Sequence, residues 1–287
     1  MKALIDADIL NYEIGYSCQR QDEVRSWEWC KNLLYRKIDL ICDEVEAEEP
    51  PLLFMTTSPR INLHLNLKRK WEGLPPIPYR KLYREEMAKS KPYKFGRKSE
   101  KPFHYQNIVS HLLHNFDVVV AEDGLEADDW LCIYHTKAPP HTTTLCSRDK
   151  DLRQCQGLFY SWECANQRSI GPLNISELGF LDLQRSDKKG VKPKLFGGGH
   201  KWFYSQMLTG DSIDDIGGLK NYGPVFAFDH LKDCNSEYEC YQVVKSVYER
   251  VYKDEWKVQF REQASLLYLI KSLDDEGNPV FWQPPVK

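Results

Sequence analysis

The sequence predicts an α/β protein with a central, mostly parallel sheet flanked by helices and a helical C-terminal region. Apolar runs of strand length alternate with helical patterns through the first half of the chain, which is typical of parallel sheets. Acidic residues follow several of these strands directly, at the edge where open α/β sheets bind ligands. Beyond position 186 the strand pattern ends and helical spacing dominates.

The predicted strands and helices define two regions. Strands are predicted at Lys2–Asp6, Leu52–Thr56, Val118–Ala121, Thr142–Cys146 and Leu158–Trp162. Apolar residues at three- and four-residue spacing predict helices at Cys30–Val45, Phe103–Asn115, Trp130–Tyr134, His200–Leu208, Val225–Leu231, Glu237–Tyr252 and Glu255–Ser272. The polar, Gly-rich stretch Asp187–Gly199 is predicted to be a loop. We therefore expect a core at residues 1–186 and a helical region at residues 187–287, packed as one unit.

Composition limits the class of protein. The chain has 287 residues, of which 41% are hydrophobic, and a net charge of −3. Its nine cysteines include no Cys-x-x-Cys pair, so we expect reduced thiols rather than a disulfide framework or a zinc site. In the opening Met1–Asp6 a charge arrives too soon for a signal peptide, because Asp6 interrupts the apolar run, and no run of 18 apolar residues exists. These features predict a soluble cytoplasmic protein with no membrane partner.

Acidic residues recur just past the predicted strands. They are Asp6, then Glu126, Asp128 and Asp129, and then Asp149 and Asp151. One such cluster alone is explained by the preference of acids for helix N-termini. Three clusters at equivalent strand ends are hard to explain as independent helix caps. Together with Asp211 and Asp214, they predict oxygen ligands for two Mg²⁺ or Mn²⁺ ions, which can clamp the attacking and leaving oxygens of a phosphodiester.

A basic insertion separates the second and third strands. Residues 60–101 hold thirteen Lys and Arg against four acids, and aromatic residues alternate with them. Charge of one sign suits phosphates, and rings suit stacked bases, so this insertion predicts nucleic-acid binding. Lys91 and Lys98 are candidate contacts. The alternative is a solvated, mobile insertion.

A second candidate for phosphate binding lies between two C-terminal helices. The turn contains Gly218, Lys220, Asn221 and Gly223, and Pro224 suits the first turn of the helix that follows. Backbone N–H groups exposed in such a turn can bind a phosphate.

The combination of motifs resembles the 5′ nuclease or flap endonuclease superfamily, and most of all the phage 5′–3′ exonucleases. Four stretches match its patterns, namely Glu126-Ala127-Asp128-Asp129, Ser147-Arg148-Asp149-Lys150-Asp151, Gly210-Asp211-Ser212-Ile213-Asp214 and Tyr93-Lys94-Phe95-Gly96-Arg97. The first two are specific in combination and in this order. The resemblance covers nearly the whole chain.

The resemblance implies a fold and an activity. The fold would be a PIN-like 5′ nuclease core with a basic helical arch at about residues 60–101 and a DNA-binding helix-three-turn-helix in the C-terminal region. The activity would be metal-dependent 5′–3′ exonuclease or flap endonuclease hydrolysis, in phage DNA replication or degradation. Its substrates would be DNA 5′ ends, flaps or duplex ends, or the RNA of RNA–DNA hybrids. The protein would be a monomer, in the host cytoplasm if a phage encodes it.

The resemblance also implies roles for single residues. Asp6, Glu126 and Asp128 would build the first metal site, and Asp149, Asp151, Asp211 and Asp214 would build the second, with Asp129 nearby. Lys94 and Arg97 would contact the scissile phosphate, and Tyr93 would stack on a base. The turn with Gly218, Lys220, Asn221 and Gly223 would bind DNA and a K⁺ ion.

Two positions depart from the family pattern. An Asp is usual after the second strand, where this chain has Thr56. The ligand is either missing or supplied by Asp8. Asn221 replaces a glycine of the turn, and Asn tolerates a left-handed backbone better than other side chains do.

Other classes of protein fit some of these residues. Asp6-Ala7-Asp8 and Gly210-Asp211-Ser212 look like motifs of haloacid-dehalogenase-type phosphatases, but their last motif should follow a strand and His200–Leu208 is predicted to be helical. A PIN-type or RNase H-like ribonuclease would not need the arch or the helical C-terminus. An inactive nucleic-acid-binding module would not need eight acids.

Overall fold

A six-stranded sheet forms the centre of the fold, in the order β5-β4-β1-β6-β7-β8, within the residues that the computed structural model describes, 1–20, 23–96, 100–186 and 190–287. The strands are β1 (Lys2–Asp6), β2 (Gln19–Arg20), β3 (Glu23–Val24), β4 (Leu52–Met55), β5 (Val118–Val120), β6 (Thr143–Cys146), β7 (Gly157–Ser161), β8 (Ile170–Ile175), β9 (Phe180–Gln184), β10 (Lys194–Gly198), β11 (Gly210–Asp211) and β12 (Ile216–Gly217). β1 pairs in parallel with β4 and β6, and β4 pairs in parallel with β5. The predicted α/β class is confirmed.

Helices occupy most of the remaining chain. They are α1 (Ala7–Ser17), α2 (Trp27–Glu44), α3 (Pro59–Trp71), α4 (Tyr83–Met87), α5 (Tyr105–Asn115), α6 (Ala127–Lys137), α7 (Gly199–Thr209), α8 (Pro224–Leu231), α9 (Glu237–Tyr252) and α10 (Trp256–Leu267). Ser26, Ser58 and Ser236 begin α2, α3 and α9, because each side chain accepts a backbone N–H of the first turn. None of the helices in the described residues is long and apolar enough to cross a membrane.

The chain divides into two compact units. Unit 1 comprises Met1–Tyr83, Ser99–Asp149 and Tyr160–Pro172, and unit 2 comprises Arg84–Lys98, Lys150–Phe159 and Leu173–Lys287. The end of the basic insertion thus groups with the C-terminal part of the chain. The boundary expected at residue 186 stays a prediction.

Unit 1 is built around the parallel strands. Ala3, Leu4 and Ile5 of β1 are all buried, since strands inside a parallel sheet are covered on both faces. The register pairs Asp6 with Phe54 and Ile5 with Cys146. The carboxyl ends of β1, β4 and β6 therefore lie along the same edge of the sheet.

Unit 2 has a helical core centred on α7. Phe203, Tyr204, Met207 and Leu208 of this helix are fully buried among apolar residues of α8, α9 and α10. Arg84 is the first residue of the basic insertion that belongs to unit 2, and its side chain is buried there. Its guanidinium donates to the carbonyl oxygens of Leu266, in the last turn of α10, and of Tyr268, which follows this helix.

Several sequence-based boundaries are wrong. The stretch predicted as a loop contains β10, which pairs antiparallel with β9. The glycines of this strand gave no strand signal in the sequence. The pairing nevertheless requires them, because a Cβ at Gly197 would lie 2.6 Å from the carbonyl oxygen of Phe180. α10 ends at Leu267 rather than Ser272, and the backbone N–H of Leu269 donates to Gln154 instead. The pattern did not predict α1, β8 or β9.

The cysteines also depart from expectation. The free thiols are those of Cys18, Cys30, Cys42, Cys146, Cys164, Cys234 and Cys240. Cys132 and Cys155 are disulfide-bonded, so the prediction of reduced thiols throughout is wrong for these two.

Gly124, which precedes α6, provides a test of the fold. Its φ is +74°, its carbonyl oxygen accepts the N–H of Tyr83 at 2.9 Å, and a Cβ would lie 2.5 Å from the carbonyl oxygen of Lys81. Gly124→Ala adds both backbone strain and a clash, so we expect a loss of about 2–4 kcal/mol in the free energy of unfolding, measured with urea.

Gly73→Ala is the matched control. Gly73 has a φ of +71° but open space where a Cβ would be, so the loss should be only about 1 kcal/mol. Equal losses in the two variants would show that the approach of Lys81 to Gly124 contributes nothing.

Candidate metal and nucleic-acid site

Asp6 is a buried carboxylate of unit 1 that accepts three hydrogen bonds. It begins α1 as the N-cap, where Oδ1 accepts the N–H groups of Asp8 at 3.0 Å and Ile9 at 3.2 Å. Its Oδ2 accepts the hydroxyl of Ser147 at 2.7 Å. The side chain is only 1% exposed. Asp6 is therefore held rigidly at the end of β1.

The environment of Asp6 is poor in positive charge. Burial, helped by the negative charges of Asp8 and Asp149, raises the pKa of Asp6 to about 7, although its hydrogen bonds to Ser147 and Ile9 act to lower it. Ser147 joins two members of this group, because its hydroxyl also accepts the N–H of Asp149 at 2.9 Å. Sequence reasoning missed this role, although Ser147 opens the Ser-x-Asp-x-Asp motif. A cation at this edge would relieve the repulsion.

Thr56 shows what replaces the carboxylate expected after the second strand. Its backbone N–H donates to both carboxylate oxygens of Asp8, at 3.1 and 3.2 Å. Its hydroxyl accepts the N–H of Ala127, the first residue of α6, at 2.8 Å. The side chain at this position thus stabilises a helix start, while the Asp8 carboxylate lies against the end of β4.

The acidic residues at the start of α6 differ in burial and in their contribution to the helix cap. Glu126 is the N-cap residue, and the carboxylate of Asp129 accepts its N–H at 3.1 Å. Glu126 and Asp129 are buried, whereas Asp128 is half-buried. Asp129 therefore has a structural function in this helix, whatever else it does.

In unit 2, Lys150 joins two of the predicted ligands. Its ammonium contacts Asp211 and also lies 3.0 Å from Oδ1 of Asp151. Burial alone would raise the pKa of Asp211, but the Lys150 charge and the N–H of Ile213 outweigh it, and the pKa lies below its ordinary value. The buried carboxylate of Asp211 and the half-buried carboxylate of Asp151 thus share one cation of the protein itself.

The predicted phosphate-contacting residues also meet acids of unit 2. The Tyr93 hydroxyl donates to Asp214 at 3.1 Å, and the Lys94 ammonium lies 3.8 Å from the same carboxylate. Lys91 pairs with Asp215. Arg97 and Lys98, also predicted to contact DNA, lie outside the described residues.

The predicted phosphate-binding turn has the expected backbone. Asn221 has a φ of +74°, the left-handed conformation for which Asn is suited. Gly218 packs against the end of α7, where a Cβ would lie 2.2 Å from the carbonyl oxygen of Thr209. Gly223 precedes Pro224 at the start of α8. Lys220 and Asn221 are exposed on this turn.

The chemistry of these side chains fits a hard divalent cation. The donors are carboxylate oxygens, and burial together with the nearby charges of Asp8 and Asp149 raises the pKa of Asp6. Within the part of the chain that the structure describes, no three His, Cys, Asp or Glu side chains are grouped closely enough to hold a metal ion. Donors of the protein take up the oxygens of Asp8, Asp211 and Asp214, as described above.

Solved structures share the fold of this chain. The flap endonuclease of bacteriophage T5, in a complex with DNA and metal ions, matches with a TM-score of 0.58 and 11% identity, over 94% of this chain and 89% of that one. The zinc-bound 5′-exonuclease of bacteriophage T5 matches with a TM-score of 0.52 and 13% identity, over 93% of this chain and 85% of that one. The chain has the 5′ nuclease fold, so the resemblance seen in its motifs is confirmed at the level of the fold.

Sequence comparisons match a smaller part of the chain. No protein family model matches the chain. The DNA polymerase I of Rhizobium leguminosarum is 28% identical over 116 residues, which is 40% of this chain. The matched segment spans 10% of that polymerase.

The geometry disfavours the phosphatase alternative. Its last motif should follow a strand, but Gly210-Asp211-Ser212 follows the helix α7. Its nucleophile would be Asp6, yet both oxygens of this carboxylate accept hydrogen bonds and the side chain is buried.

Asp6→Asn tests the electrostatic cost of the site. The pKa of Asp6 is higher in the folded protein than its ordinary 3.8, so folding favours the protonated form and stability falls as pH rises from about 4 to 7. Asn keeps the shape and the capping ability. In metal-free buffer the variant should be more stable than wild type by about 1–3 kcal/mol at pH 8, with no gain near pH 4.

Urea unfolding at both pH values measures this difference. Asp274→Asn is the control of opposite sign, because hydrogen bonds from Asn278 lower the pKa of Asp274 and its loss should not stabilise the protein. A less stable Asp6→Asn variant at pH 8 would contradict the assignment.

Proposed function

We propose that this protein is a divalent-metal-dependent nuclease that hydrolyses DNA phosphodiester bonds from or near a 5′ end. The observation that carries the proposal is the shared fold with the T5 flap endonuclease over 94% of the chain, combined with the carboxylates that line the end of its parallel strands. The T5 protein is described with DNA and metal ions, which supports the same ligands here.

The proposed ligands form two groups. Asp6, Glu126 and Asp128 hold the first ion, and Asp149, Asp151, Asp211 and Asp214 hold the second, with Asp129 beside them. When bound, two Mg²⁺ or Mn²⁺ ions supply Lewis-acid stabilisation of the phosphodiester and lower the pKa of the attacking water. Asp8 lies against Thr56 N–H, which makes it the candidate for the ligand that the family has after the second strand.

Residues of the basic insertion are proposed to act on the substrate. Lys94 and Arg97 contact the scissile phosphate and stabilise its developing charge, and Tyr93 stacks on a base. Lys91 and Lys98 contribute to DNA binding. The turn at Gly218, Lys220, Asn221 and Gly223 holds the DNA backbone and a K⁺ ion.

The proposed reaction leaves a 5′-phosphate and a 3′-hydroxyl on a DNA 5′ end, flap or duplex end. RNA of an RNA–DNA hybrid is a second candidate substrate, and a role in phage DNA replication or degradation fits these substrates. A PIN-type or RNase H-like ribonuclease is the alternative. The helical unit around α7 favours the 5′ nuclease, because such a ribonuclease would not need this unit.

Duplexes and 5′ flaps labelled at either end test the proposal. With Mg²⁺, nucleotides or short products should be released from the 5′ end, and EDTA should stop the reaction. Release of mononucleotides from the 3′ end alone would reverse the proposed polarity, and equal cleavage in EDTA would exclude the metal-dependent mechanism.

Asp128→Asn should abolish cleavage, because it removes a charged ligand, while DNA binding remains measurable in a gel-shift assay. We expect the rate to fall by at least about 1,000-fold. The matched control is Asp123→Asn. Asp123 precedes α6 on the same loop and pairs only at the surface with Arg80, so this variant should keep the wild-type rate. Wild-type cleavage by Asp128→Asn would remove this residue from the proposed metal site.

Lys94→Ala should lower the single-turnover cleavage rate by about 100-fold and the DNA affinity much less, because its charge is proposed to act on the phosphate in the transition state. Lys91→Ala is the comparison, since its exposed side chain is proposed to contribute to binding only. A loss of binding in Lys94→Ala that accounts for its whole loss of rate would make Lys94 a docking residue.

A further inference from the structure

Two glutamines of unit 2 lie buried close to Asp151, a predicted ligand of the second metal site. Gln154 ends the 3-10 helix Lys150–Gln154, and Gln206 lies on α7. Their side chains are 1% and 2% exposed. A primary amide is costly to bury unless its donors and acceptor find partners, so the contacts of these two side chains need an explanation.

The two amides form a chain of hydrogen bonds that ends on Asp151. Gln206 Nε2 donates to Asp151 Oδ1 at 2.7 Å, and Gln154 Nε2 donates to Gln206 Oε1 at 3.0 Å. Gln154 Nε2 also donates to the carbonyl oxygen of Leu267 at 2.8 Å, and its Oε1 accepts the N–H of Leu269 at 3.4 Å. Asp151 is thereby linked to the backbone at the end of α10 and just beyond it.

The direction of every bond in this chain is fixed. An ionised carboxylate only accepts, so Gln206 must present Nε2 to Asp151. Its Oε1 then faces Gln154, which must present Nε2 in turn. The backbone groups of Leu267 and Leu269 favour this same orientation of Gln154. Turning either amide over would place donor against donor or acceptor against acceptor.

Lys150 makes a different kind of contact with the same carboxylate. Its ammonium lies 3.0 Å from Asp151 Oδ1 and also pairs with Asp211, but a third of its side chain is exposed, on a flexible four-carbon stem. An incoming cation can displace such an ammonium. It cannot displace Gln206, which the buried helix α7 holds in place.

The geometry points to Gln206 as a positioning residue that orients the Asp151 carboxylate for a divalent ion, with Gln154 as the residue that orients Gln206. This inference rests on the proposed function. Hydrogen bonds to metal ligands fix their orientation, and their loss typically lowers metal affinity about 10–100-fold. The alternative is that the two amides only fasten the 3-10 helix to α7 and to the end of α10.

Mn²⁺ titration of the DNA-free protein, followed by electron paramagnetic resonance, separates these possibilities. Gln206→Met keeps the length and the apolar bulk of the side chain but removes the donor to Asp151. We expect about a 10–100-fold loss of affinity at one Mn²⁺ site, with DNA affinity in EDTA unchanged. Thermal unfolding of each variant without metal measures the structural contribution separately.

The matched control is Ser205→Ala. Ser205 is the fully buried neighbour of Gln206 on α7, and its hydroxyl donates to the carbonyl oxygen of Trp202 and not to an acid. This variant should lose some thermal stability and keep wild-type Mn²⁺ affinity.

Gln154→Met is the second test, because it leaves the Gln206–Asp151 bond in place but removes the group that fixes its direction. We expect a smaller loss, about threefold to tenfold. This variant decides the question if Gln206→Met does not fold. Unchanged Mn²⁺ affinity in either folded variant would overturn the inference and leave the proposed function standing. No Mn²⁺ binding by the wild-type protein would overturn both.

Discussion

The burial of negative charge is the constraint on which this structure depends. A carboxylate removed from water is stable only if hydrogen-bond donors or cations surround it. The chain supplies backbone N–H groups to Asp6 and Asp8, a hydroxyl from Ser147, an ammonium from Lys150 and an amide from Gln206. Apart from the contact of Lys150 with its neighbour Asp151, each donor comes from a segment distant in sequence from the acid or from the first turn of the helix that the acid begins. The contacts that hold the acids in place are therefore also contacts that join distant segments of the chain.

The two units stabilise their acidic groups in different ways. In unit 1, Asp6 receives only neutral donors, and its pKa rises to about 7 beside Asp8 and Asp149. In unit 2, Lys150 neutralises part of the charge, and the pKa of Asp211 falls. A divalent ion would bring a favourable charge to the first group and would have to replace an ammonium in the second. The two proposed metal sites are thus expected to differ in affinity because of the protein charges that already surround them.

The sequence predicted what depends on regular spacing and missed what depends on tertiary contact. The parallel strands and α7 to α9 follow from apolar periodicity, and the acids follow from their position after strands. β10 was missed because its glycines, which the crowded pairing with β9 requires, carry no strand signal. Asp8 was one of the two explanations for the carboxylate absent at Thr56, but no pattern predicted the hydrogen bond from the Thr56 N–H to Asp8. Gln154 and Gln206 lie 52 positions apart with no motif to connect them. Arg97 and Lys98 lie beyond the described residues.

The pairing of Lys91 and Lys94 with Asp215 and Asp214 bears on how DNA binding would respond to salt. Phosphate contacts usually show a steep salt dependence because each lysine releases a condensed counterion from the DNA and the solvent supplies the competing ions. Here the chain's own carboxylates already accompany these two ammonium groups. A phosphate that binds Lys91 or Lys94 must first separate an internal ion pair, and this exchange weakens the net attraction. Counting basic residues in this segment would therefore overestimate its contribution to DNA affinity.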